Sequence, residues 1–291
     1  MKKEDAFSLF QKVGMPVLGG WALFLFWKET TRALRSRKQP RTDRLVMNGK
    51  VAATAAVGLR LMLIPALVGA ATYTQKRQIG LLPRLPLPQS LKTLVAFLLL
   101  DYGNYLWHTL NHRFSVLWRF HNVHHTDLDL DITTAWRFHL GEVAISALYR
   151  GGVAGLVGTT PGTVLLYELF YEGATAFHHS NWQLPYQVEK ALSKVVVTPR
   201  MHGIHHSIVL RETNSNYSVV FSFWDRLHQT LRLNVPQQEI TIGVPAYQEA
   251  EELTYANLLR LPFTSIRSWK LPSGEEPDRP HIKRPIFELA R

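Results

Sequence analysis

The 291-residue chain has no cysteine. That excludes disulfides, thiolate zinc sites, thiolate-held iron–sulfur clusters and thiol nucleophiles together. Any metal must rest on His, Asp or Glu. Acid is scarcer than base, with 22 Asp and Glu against 33 Lys and Arg, for a formal charge of +11. The chain shows no glycine-rich nicotinamide or flavin fingerprint, internal repeat or low-complexity block. After Trp182 no apolar run is long enough to cross a bilayer.

Before Trp182 such runs recur. The first, about Val13 to Trp27, is short, and Lys2 and Lys3 before it imitate a secretion signal. Without a small-residue cleavage site it reads as a retained anchor helix. The second, Val51 to Thr74, has the length of a span and carries Arg60 inside, facing protein or snorkelling. LLPRLPLPQ then breaks the chain before the third, Leu91 to Trp107. The fourth and fifth, about Val143 to Val157 and Val164 to Phe177, read as a helical hairpin turning at Pro161 and Gly162. The expected fold is all-α, with multi-pass membrane helices under a helical cytoplasmic cap that holds a histidine-rich dinuclear metal site.

Charge distribution sets an orientation. Eight basic residues between Lys28 and Lys50 exceed the four between the second and third runs, so the 28–50 loop is expected in the cytoplasm and the N-terminus outside. Counting crossings then brings every histidine cluster out on the cytoplasmic face. The basic residues read as topology determinants; no nucleic-acid motif accompanies them, and no nucleic-acid partner is expected.

Histidine is what the sequence has in excess, with 13 copies. On a helix, residues i and i+4 share a face, so His108 and His112 aim two imidazoles at one point. HNVHH supplies His121, His124 and His125, and MHGIHH supplies His202, His205 and His206, both at spacing i, i+3, i+4. A single pair would be an ordinary surface helix; three clusters on one expected face point to metal. Eight imidazoles exceed the needs of one ion, so two ions are implied, and imidazole alone leaves iron, copper, nickel and zinc open.

From Asp101 onward, DYGNYLWHTLNH, LWRFHNVHH, ITTAWRFHLGE, FHHSNW, TPRMHGIHHS, NSNYS and FWDRLHQT occur in order. Over about residues 95 to 265 this resembles the fatty acid hydroxylase and sterol desaturase superfamily of integral membrane oxidases, above all its bacterial sterol desaturase-like branch. The resemblance implies a non-haem di-iron centre, with zinc able to replace iron in purified protein, and O2 as co-substrate. Its ligands would be His108, His112, His121, His124, His125, His202, His205 and His206. His179 from the fifth run would join them, with His178 as an alternative or addition. Asp101, His139, Glu172 and Asn216 are expected to support ligand imidazoles from behind, against purely structural roles for each. Leu140 stands where the family usually has proline, Ser218 where it has glycine and His228 where it has an aromatic residue. Trp107, Trp118 and Trp136 are expected as interfacial anchors. His281 lies in a charged tail and is expected to be solvated.

The implied activity is O2-dependent hydroxylation or desaturation of a C–H bond in a membrane lipid, fatty acyl or sterol-like. Without a redox cofactor fingerprint, electrons would come from a ferredoxin or cytochrome-type donor docking on the basic face. A di-zinc membrane hydrolase and a metal transport or storage protein are the alternatives. Domain bounds are expected at 1–90 for the N-terminal membrane helices and linker, 91–265 for the catalytic domain and 266–291 for a tail.

Overall fold

A computed structural model describes residues 6–279 and 288–290; His281 lies outside them. Among the described residues the chain is helical, with no strand and only three isolated bridges, such as Val196 to Phe221. Five long helices form the bundle: α1 (6–31), α2 (41–77), α3 (Gln89–Arg113), α5 (Leu140–Val157) and α6 (Pro161–His179), with α4 (Ser115–His125) branching off the end of α3. Three stretches are long and apolar enough to cross a membrane: Ala6–Thr31, Arg41–Arg84 and Leu140–Val157.

Local chemistry shapes these helices. In α1 and α2 a wide turn, Phe10–Gly14 and Leu59–Leu63, comes just before Pro16 and Pro65. Proline lacks an N–H and crowds the carbonyl four residues back, and the widened turn relieves both. The hairpin between α5 and α6 turns at 158–160, earlier than expected, because Pro161 occupies the first helical position behind Thr160, whose hydroxyl accepts from the Thr163 N–H. Gly158 sits at φ +69°, and a Cβ on Gly80 would fall 2.5 Å from its Cα, so this backbone crossing requires glycine.

The bundle packs through Leu63, Leu67 and Ala71 of α2, Leu100 of α3, Ala147 and Ala154 of α5 and Tyr167 of α6. A small residue lets α3 and α5 approach: a Cβ on Gly103 would lie 2.9 Å from Val153. Arg60 is exposed on the outer surface of α2 rather than facing protein.

At one end of the bundle a layer of loops and short helices covers the helix tips. The longest helices beyond α6, α7 (Tyr186–Leu192) and α8 (Pro199–His205), have seven residues each. Buried charge welds this layer down. Glu29 at the end of α1 accepts from the backbone N–H groups of Ile132 and Asn181 at 3.0 Å and from Arg41. Arg44, near the start of α2, pairs with Asp127 and, at 3.1 Å, with Asp131. Burial alone would raise Asp127, but Arg44 and Arg137 hold it below the usual carboxylate range. Breaking such a buried pair by removing one partner costs about 3–5 kcal/mol. Arg35 is also buried and donates to Gln237 at 2.6 Å. Arg35 and Arg44 therefore act as structural ties between the helices and the layer, a role a count of loop charges does not reveal. Part of the expected tail belongs to this layer too: Leu289 is buried with Val197, Leu231 and Leu233.

Candidate metal centre

Four helices deliver the histidines. His108 and His112 end α3; His121, His124 and His125 end α4; His179 ends α6; His202 and His205 lie on α8, with His206 just after it. All are buried except His112, which is half-buried. They divide into two groups, His108, His112, His121, His125 and His205, and His124, His179, His202 and His206. Within each, one nitrogen of every ring lies within 4.8 Å of the others. The i, i+3, i+4 spacing thus serves both groups: from α4, His121 and His125 face the first and His124 the second, while from the third cluster His205 joins the first and His202 and His206 the second.

The two groups are wired differently. In the five-histidine group, the His108 Nδ1 lies 2.8 Å from the Tyr217 carbonyl, the His205 Nδ1 2.7 Å from the Ser215 carbonyl and the His121 Nδ1 2.8 Å from a Glu142 oxygen. Each Nδ1–H donates there, so each Nε2 carries a lone pair, and these Nε2 atoms, like those of His112 and His125, are buried without a partner. In the four-histidine group only His179 is fixed in this way, by the Thr175 carbonyl at 2.8 Å. Its Nε2 meets those of His124 at 3.0 Å and His202 at 2.9 Å, and the His202 Nε2 meets that of His206 at 3.1 Å. Hydrogen bonds cannot satisfy all of these contacts. With the His179 Nε2 unprotonated, a His202 Nε2–H aimed at it leaves none of its own lone pair for His206. A cation among the four resolves the conflict, and the donor set suits a borderline transition metal. Burial, then the neighbouring imidazoles, push His124, His125, His202 and His206 well below the ordinary histidine range, which keeps them neutral and ready to ligate.

His178 belongs to neither group; its ring packs 4.1 Å from that of His202. The four residues expected behind the ligands stand elsewhere. Asp101 accepts from Trp224 at 2.8 Å, Tyr167 and the backbone of Val220 and Phe221, and reaches no histidine. Glu172 accepts from the Trp136 indole at 3.0 Å, because α6 turns it toward the loop before α5. His139 caps α5, accepting from the Gly141 N–H at 2.9 Å. Asn216, at φ +54°, ties the Met201 and Arg232 carbonyls together, and the turn it closes presents the Ser215 and Tyr217 carbonyls on either side to His205 and His108. It orients histidines through backbone, not through its own amide.

Glu142, in WRFHLGE, is the carboxylate that fixes one of the clustered imidazoles, that of His121, and sequence reasoning gave it no role. Its signal was position in the first turn of α5, where it faces the end of α4. Trp118 is likewise no anchor: its ring lies 5.1 Å from His112 and 5.3 Å from His125. Trp107 packs on Tyr149 and lines, with Phe138, Tyr171, Val219 and Asn104, a narrow cavity of about 40 Å³ that reaches His108, His121, His124 and His179.

The sequence profile of the fatty acid hydroxylase family matches residues 93–230. Ornithine lipid hydroxylase OlsE of Rhizobium tropici is 31% identical over 162 residues, which cover 54% of this chain and 46% of that protein. Human alkylglycerol monooxygenase is 26% identical over 136 residues, 46% of this chain and 29% of the relative. Human cholesterol 25-hydroxylase is 26% identical over 156 residues, 53% of each. The chain thus spans about half or less of the length of these relatives. No solved structure matches it.

Proposed function

We infer, from the fatty acid hydroxylase family to which residues 93–230 belong, that the protein is a membrane-bound oxidase that hydroxylates a C–H bond of a lipid. The observation that carries this reading is the pair of buried imidazole groups opening on one cavity beside apolar helices. Hydroxylation is favoured over desaturation because the relatives quoted above are named as hydroxylases and a monooxygenase. The overall change is RH + O2 + 2 electrons + 2 protons giving ROH + H2O, with the electrons from an external one-electron carrier.

The two histidine groups would hold two iron ions, which when bound supply the reductive activation of O2. The protein's own part is positional. Neutral imidazoles offer Nε2 lone pairs fixed by Glu142 and the Ser215, Tyr217 and Thr175 carbonyls. Trp107, Phe138, Tyr171 and Val219 give the cavity an apolar side, and at about 40 Å³ it has room for the reacting carbon but not for a whole chain. The Asn104 Oδ1, Asn111 Oδ1 and Thr175 Oγ1 in the same walls lack partners and are placed to hold a polar group of the substrate near the reacting carbon. The layer bearing the histidines is assigned to the cytoplasmic side, where reduced carriers are available.

Membranes of cells producing the protein, supplied with reductant and 18O2, are expected to yield a hydroxylated lipid carrying one labelled oxygen, absent when His124 is replaced by Ala. A product labelled from H2 18O, or formed without O2, would overturn the reading in favour of a hydrolase; unlabelled product with a new double bond would redirect it to desaturation.

A further inference from the structure

Electrons must cross the protein layer to reach the histidine groups, and the described residues offer two chains of aromatic rings leading outward. One runs from His112 through Tyr217 (5.2 Å) and Tyr105 (6.4 Å) to His228 (4.9 Å). It reaches the surface only at the third ring, exposed His228, which stacks on Tyr102. The other is shorter. Trp118 contacts two rings of the five-histidine group, and Trp269 lies 5.9 Å from Trp118 and is half-buried at the surface of the layer. Trp269 is held there by its indole N–H, which donates to the Ile208 carbonyl at 2.7 Å, two residues past His206. Two rings thus connect the surface to the ligands through packed atoms.

The surface around Trp269 has a charge to match. Arg119 is anchored by the carbonyls of Pro262 and Thr264, and Arg260, Arg267 and Lys270 are exposed nearby. The carboxylate facing Arg267 is Glu252, at 2.6 Å, and Glu249 lines the same groove as Lys270. Among the described residues Arg119, Arg260 and Lys270 make no ion pair, so their charge is free to meet a partner. Complementary charge steers encounter and sets the on-rate of a transient partner.

We propose that the patch around Trp269 is the docking site of an acidic one-electron carrier protein, and that Trp269 and Trp118 are the path by which its electrons reach the five-histidine group. The proposal rests on the oxidase reading, since a hydrolase would need no electrons. Each encounter oxidises the carrier by one electron and reduces the metal pair by one, so two encounters supply one turnover.

The test uses the full-length iron-loaded protein in detergent and an acidic plant-type [2Fe–2S] ferredoxin as the carrier, mixed anaerobically at low ionic strength. Trp269→Leu and Trp118→Leu are expected to slow reduction by ferredoxin at least tenfold with iron content unchanged, and Trp118→Phe is expected to recover most of the rate. Reduction by dithionite, a small diffusing reductant, is expected to be equal in all of them. Independently of the metal, the double variant Arg260→Glu, Lys270→Glu is expected to weaken ferredoxin binding to metal-free protein several-fold, and raised salt to do the same to the unaltered protein. Unchanged ferredoxin rates in both leucine variants at full iron content, or unchanged binding in the charge variant, would overturn the proposal. If dithionite reduces the iron and ferredoxin neither binds nor reduces, the carrier class is wrong and the proposal fails while the oxidase reading stands. Iron that no reductant reduces would remove the oxidase reading itself, and the path with it.

Discussion

The two histidine groups lie side by side and both draw on the His121–His125 and His202–His206 clusters, yet the protein treats them unequally. In the five-histidine group three Nδ1 atoms are committed to two carbonyls and a carboxylate drawn from other elements. In the four-histidine group the Nδ1 atoms of His124, His202 and His206 have no partner, and only His179 is held, by its own helix. A ligand whose second nitrogen is fixed loses little freedom on binding, whereas one held by packing alone must be ordered by the ion. The difference teaches that the first group is the preorganised one and the second the more labile, although both use only imidazole.

The strongest way to break this comparison is to remove a ligand central to the weaker group. The His202 Nε2 contacts those of both His179 and His206, so His202→Ala is expected to reduce metal content from two ions per chain to one, the remaining ion being that of the five-histidine group. Elemental analysis of purified protein decides it; two ions retained, or none, would show that the groups are not independent sites.

A smaller effect sharpens the contrast from the other side. Glu142→Ala removes the acceptor for the His121 Nδ1–H, and loss of such a partner typically lowers metal affinity about 10- to 100-fold. Competition with a chelator should therefore show the five-histidine ion released more easily in this variant, its four-histidine neighbour unchanged, and partial recovery in Glu142→Gln, whose amide oxygen still accepts. Equal weakening of both ions would make Glu142 a general structural residue.

The smallest effect expected is on stability against pH in the metal-free protein. Burial, reinforced by the neighbouring imidazoles, holds His124, His125, His202 and His206 well below the ordinary histidine pKa of about 6.5. A depressed folded-state value means that the unfolded chain binds more protons, so stability is full above about pH 6.5 and declines as the pH falls below it. Denaturant midpoints at a series of pH values are expected to be flat from pH 8 to 7 and to fall below 6.5, and bound metal should delay the fall. A midpoint that stays flat to pH 5 would mean that the imidazoles are open to water and titrate as freely as in the unfolded chain.

Much of this was legible in the sequence because helical periodicity is local. The spacing of His121, His124 and His125, repeated in His202, His205 and His206, dictates which rings share a face, and the absence of cysteine leaves imidazole as the ligand. The apolar runs mark helices that the bundle contains, since burial from water or in lipid acts on each run by itself. What no local pattern carries is the partner across space. The division of the histidines into five and four was undecidable, because one α4 serves both groups. Glu172 looked suited to a histidine and found Trp136; Glu142, unremarked in its own segment, found His121. Arg35 and Arg44 read as loop charges until Gln237 and the Asp127 to Asp131 run, distant in sequence, were brought against them. Composition and spacing determine that this chain builds helices with a histidine-rich end. Tertiary packing alone decides which second nitrogen each histidine must give away, because that depends on carbonyls and carboxylates from segments as many as 109 residues apart.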